Sequence, residues 1–446
     1  MVTVLESVPR SKQITPAAGT RLPVAAAPGT VQLSRWLETQ ATTAARHAAA
    51  LRPFARDEFG SGPASPSDAH VEAANDLTHE LRRNVVAMSR VVQAAARGAQ
   101  HNPSSGALNR LLTAKETMLA AVRRTEEIWK FYLELFGQRQ SSFGPLLLAC
   151  DRIALDCYQY VYTGLGRAKP VPSPAPFCYL ETGFSPATYR RGIPMPKLGR
   201  GPNPFPLIQL PYHRLINPWT LGAVLHESAH NLQSDLGLWR AVPLRIARHL
   251  LAARIPHEVV RVWARWHKET WADLAAVLLG GPEIVASLMD VTGRSAAAAQ
   301  RFNPRDVHPT PWLRVFINIE LLQRMGFVER ARAYRAAWSQ LYSAPQSGWM
   351  PDVMLKTFPE ACRIVVDTIA FAAYPELGGK TLAQAFKFEA RDQGMVEEAA
   401  QRLAASRDPG IIPALFLIGA ARHALDHRWA SPETITRNFY RALVRR

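Results

Sequence analysis

Two histidines four residues apart stand in the segment AVLHESAHNLQSDLGL, residues 223–238, with a glutamate directly after the first. On a helix, His226 and His230 lie one turn apart on the same face, so both imidazole rings can reach one metal ion. Glu227 lies about 100° around the helix from His226, where its carboxylate can touch a metal-bound water without ligating the metal. The pattern indicates hydrolysis by a zinc-activated water, with Glu227 as general base.

The motif alone leaves another interpretation open, in which these are ordinary histidines of a buried helix, so a third ligand must decide. An extension of the same helix would need glycine at position 233 and histidine or aspartate at 236, but the sequence has Gln233 and Leu236. A second helix can supply the ligand instead. The segment HKETWADLAAVLLGG, residues 267–281, carries Glu269 and Asp273 four residues apart, on one helix face.

This carboxylate pair predicts the rest of the metal site. Glu269 would complete a set of three protein ligands and leave one position open for water. Asp273 would accept the second ring N–H of a ligand histidine and thereby fix its tautomer. A solvated helix face is the ordinary alternative, but the neighbouring residues are mostly apolar. A carboxylate pair in such a helix needs a buried partner, and a metal ion provides one.

HExxH followed by a helical E-x-x-A-D resembles the gluzincin zinc metallopeptidases. The closer similarity is to the CAAX-prenyl endopeptidase and heat-shock protease family, in which a His-Pro and an arginine follow the second motif. Here DVHPTPWLRV, residues 306–315, offers His308, Pro309 and Arg314. The resemblance spans about residues 217–314 and implies that His308 or Arg314 stabilises the oxyanion of a tetrahedral intermediate. The alternative is a loop histidine and a salt-bridged arginine. That family is embedded in membranes, whereas this sequence has no apolar run long enough to span one.

The elements that must position these residues are mainly α-helical. Residues 1–30 are rich in Pro, Ala and Gly without periodicity, which predicts a flexible tail. Residues 31–168 predict a helical bundle, residues 169–326 a Pro-rich lobe with the gluzincin-like zinc core, and residues 327–446 a C-terminal helical domain. In the bundle, apolar positions recur at three and four and predict helices over 31–58, 68–99, 106–137 and 143–165.

The segment before the zinc helix is irregular, because 12 of the 34 prolines lie between Lys169 and Pro218. Its best strand candidate is PLIQLPYHRL, residues 206–215. We expect an extended substrate to bind at the edge of this strand, with Ile208 to Leu210 bordering the cleft. The competing interpretation is a buried linker. Cys178, in the same lobe, is a weaker candidate for a thiol that caps the zinc.

Helices are expected again from Pro218 onward. Asn217 can cap the zinc helix and Gly237 can end it, and a second helix is predicted from Pro256 to Gly280. His257, Glu258 and His267 lie on this second helix at positions that miss the metal. Further helices are expected over 283–298, 311–326, 328–343, 353–373, 381–405, 411–426 and 431–445.

Composition indicates the cellular compartment of the protein and the class of its partners. The four cysteines form no CxxC pair and no secretory signal is evident, which predicts reduced thiols in the cytoplasm. The net charge of +17 favours acidic partners, but no block of five basic residues and no nucleic-acid motif is present. Scattered charges on solvated helices are therefore preferred over a nucleic-acid partner.

The sequence thus predicts a cytoplasmic, zinc-dependent metallopeptidase without a membrane span. It would cleave a protein or peptide substrate with Zn²⁺ held by His226, His230 and Glu269. Two alternatives stay open: a zinc-stabilised scaffold protein without catalysis, and a basic nucleic-acid-associated factor.

Overall fold

The computed structural model describes residues 27–166, 171, 173–198 and 201–445. Helices dominate these residues and strands form one small sheet, which confirms the mainly α class. Most of the predicted tail lies outside the described residues, and its last four residues, 27–30, already belong to the first helix. None of the described helices is both long enough and apolar enough to cross a membrane.

The described residues pack as two compact units. The first unit comprises residues up to Phe59, 67–136 and 194–201, and its helices are α1 (Ala27–Ala50), α2 (Asp68–His101) and α3 (Ser105–Gly137). Val85 and Val92, two turns apart on α2, are fully buried in the core of this unit. The first helix ends earlier than predicted, since Pro53 disfavours helical backbone in the residue before it.

The second unit comprises residues 60–66, 137–193 and 202 onward. Its strands are β1 (Phe177–Leu180), β2 (Ala187–Tyr189) and β3 (Leu207–Leu210). Its helices are α4 (Gly144–Gly164), α5 (Tyr212–Leu215), α6 (Gly222–Asp235), α7 (Leu238–Ala252), α8 (His257–Gly280), α9 (Pro282–Thr292), α10 (Ala296–Gln300), α11 (Pro311–Arg324), α12 (Val328–Leu341), α13 (Asp352–Val366), α14 (Leu382–Phe386), α15 (Ala390–Ala404), α16 (Phe416–Asp426) and α17 (Pro432–Val444).

The unit boundaries differ from those expected at residues 168 and 326. The helix α4, expected in the bundle, is buried in the second unit, where Ile153 and Cys157 belong to the same core as α6 and α8. That core also includes Phe416 of α16, so the lobe, the helices α6 and α8, and the C-terminal helices form one compact unit. Helix periodicity reports that a face is buried, but not which neighbour buries it.

Several stretches of the second unit depart from the predicted helices. The helix expected over 283–298 is divided by residues 293–295 into α9 and α10, and the one expected over 411–426 begins only at Phe416. One helix was expected over 381–405, but Lys387 has a positive φ of 25° and the chain breaks there into α14 and α15. The helix α13 continues as a π-helix over Asp367–Phe371. No separate helix was predicted between Gly237 and Pro256, where α7 lies.

The sheet has the strand order β1-β3-β2, with β1 parallel and β2 antiparallel to β3. The prediction of a strand within PLIQLPYHRL is confirmed by β3, although the end of the segment forms α5. The prediction that Ile208 to Leu210 borders the cleft at a sheet edge is wrong. Both neighbouring strands pair with β3, and Ile208 and Leu210 are fully buried.

The strand β2 forms one edge of the sheet and lies beside α6, the HExxH helix. The Asn231 Nδ2 on α6 donates a hydrogen bond of 2.7 Å to Oγ1 of Thr188 on β2. The same amide group donates to the carbonyl of Glu227, which holds the asparagine in place. The irregular lobe therefore does contact the HExxH helix, but through a strand that was not predicted.

Candidate metal centre

Two buried helices carry the candidate ligands. A 3₁₀ turn over Pro218–Thr220 leads into α6, and Gly237 follows it in the left-handed region with φ of 75°. The helix α8 packs against α6 and is buried along most of its second half. Gly237 therefore follows the end of α6 as predicted, but the prediction for Asn217 is wrong: it precedes the 3₁₀ turn, its side chain makes no capping hydrogen bond, and Leu221 is the residue before α6.

The three predicted ligands converge. The Nε2 atoms of His226 and His230 lie 3.1 Å apart, and Oε2 of Glu269 lies 3.3 Å from the first and 3.4 Å from the second. A tetrahedral zinc ion with ligand distances of 2.0–2.1 Å holds its ligand atoms about 3.3–3.4 Å apart. The donor set and its spacing fit zinc. Within the described part of the chain, these residues form the only group of three His, Cys, Asp or Glu close enough to hold a metal.

Asp273 approaches the other nitrogen of His226. Its Oδ1 lies 2.8 Å from Nδ1, although the ring N–H direction falls outside ordinary hydrogen-bond geometry. Burial opposes a charge on His226, but Asp273 and Glu269 outweigh it and raise the pKa of His226 to about 10. Burial likewise opposes a charge on Glu269, yet hydrogen bonds from three histidines hold its pKa well below the ordinary value.

Arg314, on α11, is paired with the same aspartate. Its Nη2 donates to Oδ1 of Asp273 at 2.8 Å, and its Nε donates to Oδ2, so the two planar groups meet in a bidentate pair. Burial would raise the pKa of Asp273, but Arg314 and His226 lower it to about 2. The observed contact makes Arg314 a positioning residue that orients Asp273 behind His226. Its predicted contact with an oxyanion stays a prediction.

Glu227 is buried beside the ligands without being one of them. Only 6% of the residue is exposed, and burial raises the pKa of its carboxyl group. Among the described residues, no group donates a hydrogen bond to its side-chain oxygens. The carboxylate therefore faces the cavity unpaired, which suits a group that must accept a proton from a bound water.

His308 reaches the centre from the loop before α11. Its Nε2 lies 3.2 Å from Oε2 of Glu269, and its Nδ1 lies 3.2 Å from Oδ1 of Asp306. Both ring nitrogens therefore face carboxylate oxygens. With 49% of its side chain exposed, His308 is also the most accessible member of the cluster.

Five residues of the cluster line one end of a cavity of about 100 Å³: His226, Glu227, Asp273, His308 and Arg314. Ser185 and Pro186, directly before β2, lie at its wall. The other end is mostly apolar and is formed by α8, α9 and α11: Ala276, Val277, Ile284, Ser287, Leu288, Val291 and Asn318. Sequence reasoning missed this wall because apolar residues at helical spacing on α9 are indistinguishable from an ordinary core stripe.

The weaker sequence candidates lie elsewhere. Cys178 is fully buried in β1 and does not line the cavity, and burial raises the pKa of its thiol well above the ordinary value. The ring of His267 bonds to the carbonyl of Ala264 at 2.7 Å. His257 is exposed at the start of α8. None of the three belongs to the ligand group.

Comparison of the chain with protein-family models, curated proteins and solved structures gives no match.

Replacing Asp273 by asparagine is expected to weaken zinc affinity about 10–100-fold, because the amide keeps the shape but loses the charge behind His226. Competition with a chromogenic chelator measures the change. Asp57→Asn, at an exposed position of the first unit, is the matched control and should leave the affinity unchanged. An Asp273→Asn protein with wild-type affinity would contradict the role assigned to Asp273.

Replacing Arg314 by methionine is expected to lower the free energy of unfolding by about 3–5 kcal/mol, because the buried Asp273 carboxylate loses its bidentate partner. Urea unfolding of the metal-free protein measures this. The control, Arg332→Met, breaks an exposed pair with Glu329 and should cost less than about 1 kcal/mol. Unchanged stability with a large loss of turnover would instead favour the oxyanion role.

Proposed function

We propose that this chain is a gluzincin-type zinc metallopeptidase. One observation carries the proposal: three ligand atoms from His226, His230 and Glu269 meet at 3.1–3.4 Å, and the unpaired carboxylate of Glu227 lines a cavity together with His226. A merely structural zinc site is usually closed by four protein ligands. Within the residues that the structure describes, this site has only three ligands, with a buried carboxylate and a cavity beside them. These features support a catalytic zinc site rather than a structural one.

The roles follow from the positions of the side chains. When bound, zinc would lower the pKa of a coordinated water toward 7 and polarise a substrate carbonyl. Glu227 accepts the proton of the attacking water and passes it to the leaving amine nitrogen. We assign to His308, the most exposed member of the cluster, a hydrogen bond to the carbonyl oxygen as it gains charge, which its Nε2 would make in place of the contact with Glu269. Asp273, oriented by Arg314, fixes the position of His226.

The surroundings of the site favour a peptide substrate. The edge strand β2 pairs with β3 on one side, and the two residues before it line the cavity. An extended peptide can add main-chain hydrogen bonds along such an edge, which holds a backbone carbonyl in a defined position. The apolar end of the cavity, formed by residues such as Ile284 and Leu288, can then receive a substrate side chain.

Metal removal tests the proposal. The full chain, loaded with one equivalent of zinc, is incubated with an unfolded protein mixture, and new peptide termini are identified by mass spectrometry. Cleavage should stop with a zinc chelator, continue with the non-chelating isomer of that chelator, and return when zinc is restored. Cleavage that persists under full chelation, or no cleavage at full zinc occupancy, would contradict the proposed function.

A further inference from the structure

The hairpin of α7 and α8 concentrates positive charge that the catalytic proposal does not use. Residues 240–268 contain six arginines and one lysine, with Glu258 as the one acidic residue. Five of the arginines are exposed: Arg240, Arg248, Arg254, Arg261 and Arg265. None of these five forms an ion pair within the described part of the chain. Unpaired guanidinium groups at this density favour an anionic partner, since arginine binds carboxylates in a bidentate manner.

The arginines of α8 are in register with a metal ligand. Arg261 and Arg265 precede Glu269 by eight and four residues, so all three lie toward one side of the helix. With a rise of 1.5 Å per residue, they lie about 12 Å and 6 Å along the helix from Glu269. Lys268 continues this row of positive charge as far as the candidate metal centre, since its Nζ lies 3.9 Å from Oε1 of Glu269.

The helix α7, packed against α8, adds a mixed surface. Arg240, Leu244, Arg248 and Leu251 follow one another at intervals of four, four and three residues, which places them on one face. Leu244 is 70% exposed and Leu251 is 42% exposed. Exposed leucines between unpaired arginines suit a protein ligand, because a nucleic-acid backbone offers no apolar partner to leucine.

We propose that Arg261 and Arg265, with the outer face of α7, form an exosite for an acidic segment of the substrate. The inference rests on the proposed function and specifies its substrate class as a protein with a Glu- or Asp-rich stretch near the cleavage site. A flexible chain is the ligand that can follow this row of arginines and also enter a cavity of about 100 Å³. Duplex DNA is too thick to enter the cavity while it contacts the arginines, and a lipid bilayer is too flat to do so.

A binding experiment that needs no turnover tests the exosite. The zinc-loaded full chain, with Glu227→Gln so that it does not hydrolyse the peptide, is titrated with a fluorescent peptide that carries a run of glutamates, and with the same peptide in which glutamine replaces glutamate. The glutamate peptide should bind more tightly by about tenfold, since a guanidinium group can donate two hydrogen bonds to a carboxylate, whereas glutamine carries no charge. The double variant Arg261→Gln and Arg265→Gln should remove most of this difference.

A control pair of substitutions distinguishes an effect of the exosite from an effect of the lower net charge. Arg90→Gln and Arg97→Gln remove two exposed arginines from α2 in the first unit, and should leave peptide binding unchanged. Equal weakening by both double variants would overturn the exosite. Tighter binding of a DNA duplex or of vesicles containing phosphatidylserine, lost in the Arg261 and Arg265 variant, would also overturn it. Because binding is measured without hydrolysis, a failed exosite leaves the chelation result intact, and the reverse also holds.

Discussion

Zinc should disappear from the protein when either histidine of the HExxH motif is replaced by alanine. The wild-type chain is expected to retain about one zinc ion per molecule after dialysis, as a site with three protein ligands does. Each histidine supplies a ring nitrogen within 3.4 Å of the Glu269 carboxylate. Removing one histidine leaves only two protein ligands for the metal. The loss should far exceed the about 10–100-fold effect of an outer residue such as Asp273.

Elemental analysis of His226→Ala and His230→Ala measures this loss. The control is His257→Ala, which removes an exposed histidine from the first turn of α8 without touching the ligand group. Circular dichroism should show that all three variants keep their helices. Stoichiometric zinc in both motif variants would place the metal somewhere else and remove the basis of the proposed function.

Turnover, but not zinc, should be lost when Glu227 is replaced by glutamine. The amide has nearly the same shape as the carboxylate but cannot accept the proton of the attacking water, and general-base catalysis typically contributes about 10²–10⁴-fold. The side chain is no ligand in the observed geometry, so zinc content should stay near one per chain. This combination distinguishes an enzyme from a zinc-stabilised scaffold, in which the substitution would change neither quantity.

The control for this prediction is Glu258→Gln, the same chemical change at an exposed position of α8. It should leave both zinc content and the rate of peptide cleavage unchanged. A Glu227→Gln protein that cleaves peptides at the wild-type rate would show that the proton goes elsewhere. Loss of zinc in this variant would mean that Glu227 is a ligand.

The convergence of His226, His230 and Glu269 was predictable from the sequence because its geometry is local to two helices. The spacing of His226 and His230 places them on one face, and the apolar residues around Glu269 require a buried partner for its charge. Gly237 and Gly281 mark where these helices end, which limits how the two motifs can be placed. Such rules depend on helix pitch and burial alone.

The walls of the site were not predictable in the same way. Ser185 and Pro186 reach the cavity through the pairing of β2 with β3, and strand pairing between distant segments has no periodic signature in the sequence. The same limit explains why the prediction for Ile208 was wrong. Whether its strand lies at the edge or in the centre of the sheet depends on which strands pair with it, and the sequence does not show this. Arg314 was assigned to the oxyanion from a motif, whereas its contact with Asp273 depends on how α11 packs against α8.

Because the candidate ligands are far apart along the chain, a metal ion bound to them would also contribute to folding. His226 and His230 can capture an ion as soon as α6 forms, but Glu269 is 39 residues further on, beyond the whole of α7. Bringing the ends of such a loop together costs about 3 kcal/mol of chain entropy. A bound ion would hold that loop closed in the manner of a crosslink, so the metal would fasten the α7–α8 hairpin to α6 as the chain folds.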